Sequence, residues 1–137
     1  MDLTELLGAL VEQNKSGNGY QVQLNSGNLD KTANKSIDIE FSDLYFTNCR
    51  ILNKSILCFD NANRKPIGMN KENGMNIYPM EINSQMFLNI DKIEHIEDVK
   101  DFADWFEYPS ERVINLYMYP QNNNVDGCRN VVTIGFM

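Results

Sequence analysis

Acid-base or metal chemistry in this chain would have to be built around His95, the single histidine among 137 residues. A Ser-His-Asp arrangement has no other imidazole to use as its base. Glu94, Glu97 and Asp98 stand close by, and an imidazole with carboxylates can ligate a divalent ion. Their spacing is irregular, however, without the clear ligand pattern of a zinc site, so the expectation is no metal and no cofactor, with His95 a partly exposed, hydrogen-bonded side chain. Cys49, Cys58 and Cys128 make an odd number of thiols with no CxxC pair. That argues against a disulfide framework and for a reducing compartment. Cys49 and Cys58 read as facing residues of one hairpin, behaving as small buried hydrophobes.

Other reactive patterns fare no better. Gly17 and Gly19 follow an apolar-periodic segment instead of opening one, so they form no phosphate cradle. Asp38 and Glu40 are paired carboxylates, but strand alternation puts both toward solvent. Arg64, Lys65 and Lys71 lie in a turn-rich stretch where solvated cations are the ordinary finding. The residues favour a binding role over an enzymatic one.

Charge distribution is more informative. The net charge is -7, and the 17 residues from Asp91 to Glu107 hold 7 acids against Lys92 and Lys100, which is -5 of that total. A nucleic-acid domain carries a basic face, so direct nucleic-acid binding is not expected. Read as a helix packed through Val99, Phe102, Ala103 and Phe106, this segment would turn Glu94, Glu97, Asp98, Asp101 and Asp104 toward solvent as a negative ridge, with Asp98 as N-cap and Trp105 and Tyr108 as its aromatic border. A partner protein with a basic surface fits such a ridge, because complementary charge raises the association rate and sets orientation. An ordinary solvated helix face has the same pattern.

The elements that must position these residues follow from periodicity. Leu3, Leu6, Leu7, Leu10 and Val11 define one face of an N-terminal helix, started by Asp2 and Glu5 and ended at Ser16-Gly17; Gly8 inside it suggests close packing against a neighbour. Tyr20, Val22 and Leu24, then Ile37, Ile39 and Phe41, alternate as half-buried strands, with a turn at Ser26-Gly27-Asn28. Cys49 to Phe59 reads as a hairpin turning at Asn53-Lys54. Residues 60–76 are turn-rich and read as a mobile loop. A short strand over Ile77 to Ile82 follows, then one through Met86, Leu88 and Ile90. The three-residue spacing of Ile90, Ile93 and Ile96 predicts a bulge or kink near Asp91-Lys92. After the second helix come strands Arg112–Tyr119 and Arg129–Met137, joined by a loop with Asp126-Gly127.

The fold class predicted is α+β: one domain over 1–137, with an antiparallel sheet or small barrel, an N-terminal helix, and a second amphipathic helix before the final hairpin. No run of residues is long and apolar enough for a membrane span, and a secretory leader is not evident, so a cytoplasmic protein is expected. A flat edge in the final hairpin would permit a homodimer as well as a monomer.

Asparagine is frequent, as at Asn70, Asn73 and Asn76 and at Asn122, Asn123 and Asn124, and with frequent Ile and Lys it suggests an AT-rich coding sequence of a low-GC bacterium or its phage. In size, acidity and asparagine bias the chain resembles the small phage-borne inhibitors of bacterial defence, anti-CRISPR proteins among them. The resemblance is one of profile and carries no residue over; it implies a protein partner, such as a nucleic-acid-binding protein. A second class is a small-ligand sensor using Tyr117, Tyr119 and the 60–76 loop around a barrel mouth.

Overall fold

Asp2 starts the first element as the sequence predicts. Its carboxylate accepts the Glu5 N–H at 2.8 Å while Glu5 accepts the Asp2 N–H at 2.9 Å, closing a capping box at the head of α1, Leu3–Ser16. Gly17 ends it with φ 69°, in the left-handed region that glycine enters without a Cβ penalty. The computed structural model describes residues 1–25, 35–49, 54–60, 68–77, 86–102, 105–106, 108–120 and 130–137. No helix among them is long and apolar enough to cross a membrane.

The alternating segments form β1 (Tyr20–Asn25), β2 (Lys35–Phe41), β3 (Asp43–Cys49), β4 (Lys54–Asp60), β7 (Met86–Asn89), β8 (Ile93–Val99), β9 (Arg112–Met118) and β10 (Val131–Phe136), with a two-stranded ribbon of β5 (Gly68–Met69) and β6 (Asn76–Ile77). All described pairings are antiparallel. A five-stranded sheet runs β2-β1-β10-β9-β8 and a three-stranded sheet runs β3-β4-β7. The larger sheet ends at β2 and β8, and at both ends the chain runs on into the smaller sheet. Two short joints carry the chain between the sheets. Ser42 turns β2 into β3, its N–H donating to the Asp60 carbonyl at 3.0 Å, and a 3-10 turn at Ile90–Lys92 leads from β7 to β8, with a bulge between Ile93 and His95. That is the break in period the isoleucine spacing predicts.

The core lies where the inner face of the five-stranded sheet meets α1 and the three-stranded sheet. Tyr20, Val22, Ile134, Phe136, Ile114, Leu116 and Ile96 supply one side, and Leu6, Leu10, Leu44, Leu57 and Phe59 the other. Registers make this continuous: Tyr20 stands opposite Phe136, Val22 opposite Ile134 and Ile134 opposite Ile114. One polar hub crosses it. Asn14 Nδ2 donates to the Leu44 carbonyl at 2.8 Å, and Asn14 Oδ1 receives the Tyr20 hydroxyl at 2.7 Å and the Leu44 N–H at 3.3 Å. Burial, and next the Asp43 charge, push the Tyr20 phenol well above its usual range, so it stays a donor.

Three expectations are corrected. The second helix is not there: Asp98 and Val99 close strand β8, paired with Ile114 and Val113 of β9, and the described residues from Lys100 to Ser110 are irregular. The helical spacing of Val99, Phe102 and Phe106 lost to a long-range partner, because Ile93, Ile96 and Val99 find a ready apolar ladder in β9. The hairpin of β3 and β4 pairs Cys49 with Lys54 and Tyr45 with Cys58, so Cys49 and Cys58 are not neighbours and the connection falls at 50–53, outside the described residues. Gly8 packs against nothing, having no atom within 4 Å of where a Cβ would stand. Only Leu6 and Leu10 of the predicted helix face are fully buried, with Leu3, Leu7 and Val11 about 42% exposed. The turn at 26–28, most of the strand at 77–82, the Asp126-Gly127 loop, Cys128 and Asp104 lie outside the described residues.

Candidate functional site

The outer face of the five-stranded sheet carries the polar side chains of the same strands that bury their other side. Cross-strand pairing aligns Gln23, Thr133, Asn115 and Glu97 in one row over β1, β10, β9 and β8. The first three are 3%, 0% and 2% exposed, and they are bonded rather than orphaned. Thr133 Oγ1 donates to Asn115 Oδ1 at 2.7 Å, and Asn115 Nδ2 reaches Glu97 Oε2 at 3.4 Å. The Tyr117 hydroxyl donates to the same Glu97 oxygen. His95 stacks on Tyr117 with ring centroids 5.8 Å apart. The phenol, amide and carboxylate thus satisfy one another, which makes a fixed polar surface.

Part of this face is covered by the irregular segment after β8. Gln21 Nε2 donates to the Tyr108 carbonyl at 3.0 Å, and Gln21 Oε1 accepts the Tyr108 N–H at 3.1 Å. Gln23 Nε2 donates to the Trp105 carbonyl at 2.6 Å. Phe106 and Ser110 fill the space over Gly135. This anchoring leaves Trp105 half-buried and the Tyr108 side chain 50% exposed.

The residues predicted to form one ridge separate into three environments. Asp98 lies on the inner side with Ile96, at the rim of the core, where Arg112 Nη2 meets it at 2.8 Å and Lys100 Nζ at 3.6 Å. The hydrogen bond from Arg112 holds its carboxyl below the ordinary carboxylate range, partly opposed by burial. Glu97 lies on the outer face in the Tyr117 network. Glu94 and Asp101 are exposed, one in β8 and one just past it. Trp105 and Tyr108 do come to the same outer face as Glu97. Strand β8 ends the sheet order, and a charged, bulged edge strand is also the device by which sheets resist unwanted pairing. His95 is exposed, and no cluster of three metal-ligating side chains occurs among the described residues. Of the residues suggested for a ligand site, Tyr117 is engaged by Glu97 and His95, and Tyr119 is 53% exposed.

Gln21, Gln23, Asn115, Thr133 and Gly135 escape a reading of period alone, because polar residues at alternate strand positions look solvent-facing. Gly135 was the available signal: glycine inside a strong strand marks close approach of another backbone or side chain. No family model, curated protein or solved structure matches the chain.

Proposed function

We propose that this protein is a non-enzymatic binding protein that acts on a partner protein with a basic surface, as an inhibitor or adaptor of the kind that occupies a groove. The contact surface is the edge at β8 together with the segment that follows: the exposed carboxylates Glu94 and Asp101, and Tyr108. One observation carries the reading. Tyr108 is clamped by its main chain to Gln21 while the residue remains half exposed. An aromatic whose backbone is held this way has no main-chain freedom left to lose on binding. Glu94 in the edge strand β8 and Asp101 just past it would supply steering and orientation. The analogy to phage-borne inhibitors of bacterial defence rests on profile and supplies the class of partner to try first, a nucleic-acid-binding protein with a basic channel.

The test is capture of partners from lysate at low and high salt, then titration of each purified partner against the wild-type chain, the double variant Glu94→Lys with Asp101→Lys, and Tyr108→Ala. Reversing two rim charges is expected to slow association and weaken binding about 10-fold or more at low salt, with the difference shrinking as salt rises. A stoichiometric partner whose affinity ignores salt and all three substitutions would place the contact elsewhere.

A further inference from the structure

The segment over the outer face is held by side chains where a strand would be held by a backbone ladder. Gln21 offers Tyr108 what a neighbouring strand residue offers, one donor and one acceptor, at 3.0 and 3.1 Å. Gln23 adds the 2.6 Å bond to the Trp105 carbonyl. Gly135, in register with Gln21, leaves the hollow that the segment occupies: a Cβ there would stand 2.5 Å from Ser110 Oγ and 2.8 Å from the Phe106 ring. The two glutamines are 5% and 3% exposed. On release their amides would exchange bonds to the segment for bonds to water; Val113 and Val99, buried in the same row as Gly135, add an apolar cost, but no strand pair is separated. The inner face would be untouched, because Val22, Ile134 and Ile114 are covered by α1 and the smaller sheet, not by this segment.

We propose that Gln21, Gln23 and Gly135 form a latch from which the segment bearing Trp105, Phe106, Tyr108 and Ser110 detaches as a unit while both sheets stay folded, and that the closed latch holds Tyr108 in its binding geometry. The first half stands on the contacts alone; the second rests on the contact surface proposed above. Gln21 and Gln23 are positioning residues in this scheme, acting on a partner through Tyr108.

Native-state hydrogen exchange on the full chain tests the first half. The Tyr108 amide, which donates to Gln21, is expected to exchange at least ~100-fold faster than the amides of Val22 and Ile134 after correction for intrinsic rates, through an opening that small additions of denaturant leave unchanged. Gln23→Ala should speed Tyr108 exchange roughly 5- to 10-fold, the effect of one lost hydrogen bond, without moving Val22 or Ile134. In Gln21→Ala, acrylamide quenching of Trp105, the one tryptophan, should rise while the sheet amides keep their protection. If wild-type Tyr108 exchanges only with global unfolding, in step with Val22 and Ile134, the latch is overturned, whatever the variants do. Equal acceleration of all amides in Gln23→Ala overturns it too. The second half is decided with a purified partner. If Tyr108→Ala weakens binding and Gln23→Ala does not, the surface stands and the positioning role fails. If neither weakens it, the contact surface itself is wrong, and the exchange rates still decide the latch.

Discussion

Two contacts between parts of this protein, one from α1 to the strands and one from the sheet to an irregular segment, are made by carboxamide side chains, and they differ in what lies around the pin. Asn14, half-buried at the border of the core, joins α1 to β3 and to Tyr20, beside the fully buried Leu10 and Leu44. Gln21 and Gln23, themselves buried, join the Trp105–Ser110 segment to the outer face of the sheet, where the half-exposed Tyr108 lies over them. The bonds are alike in type and length. Their consequences differ because α1 is packed on the core through Leu6 and Leu10 and cannot leave without exposing it, whereas the glutamine amides rehydrate if the segment over them leaves.

The sharpest way to break that contrast is Asn14→Leu. It leaves the Leu44 N–H and carbonyl without Asn14 while the Tyr20 hydroxyl keeps the Leu10 carbonyl at 3.1 Å, and we expect a loss of about 1–3 kcal/mol in global stability by urea unfolding, from part-buried groups left unpaired. A loss below that of the latch variants would mean that the hub is solvated and the comparison is wrong. Next is Gly135→Ala, which forces Phe106 and Ser110 away from the sheet; we expect about 1–3 kcal/mol, the usual cost of overpacking. The change should be visible as altered Trp105 fluorescence with far-UV circular dichroism retained.

Gly8 supplies the opposite control. It sits in α1 with open space around it, so Gly8→Ala should raise stability by about 0.5–1 kcal/mol, read as a higher midpoint in the same unfolding experiment. A decrease would mean that the helix meets something at that face.

The smallest effect belongs to the rim pair Asp98 and Arg112. The folded carboxyl of Asp98 titrates below its unfolded value because Arg112 bonds its charged form, so the unfolded chain binds the extra proton first. Stability from this pair is therefore present above the unfolded carboxylate range near pH ~4 and is lost as pH falls through the folded value. With Arg112 38% exposed, solvent screening limits the contribution to a few tenths of a kcal/mol, on the order of 0.5 at most. Asp98→Asn should flatten the acid limb of stability against pH by that amount. An unchanged acid limb would show the pair to be thermodynamically idle.

Much of the framework was legible in the residues. Asp2 and Glu5 start α1 and Gly17 ends it because capping is a local matter of three or four residues. Strands β1, β9 and β10 follow from alternation, and the kink near Asp91-Lys92 from a break in it. Of the candidate site, the sequence marks Trp105 and Tyr108 as aromatic neighbours of an acidic stretch, and they do reach the same face as Glu97. The helix drawn through Val99, Phe102 and Phe106 did not survive, since local spacing cannot weigh a distant β9. Cys58 went to Tyr45 and not to Cys49 because hairpin register depends on turn length, which composition leaves open.

By itself, then, the sequence determined the α+β class, the helix with its two caps, which positions alternate, and the concentration of acid between Asp91 and Glu107, because each follows from neighbours in the chain. Tertiary structure alone decided that Asp98 is tied to Arg112 at the core rim while Glu97 turns to Tyr117 outside. It also decided that Gln21, Gln23 and Gly135 seat Trp105, Phe106 and Tyr108. Those outcomes depend on strands far apart in sequence arriving in register, and only the folded sheet brings positions 21, 97, 108 and 135 onto one face.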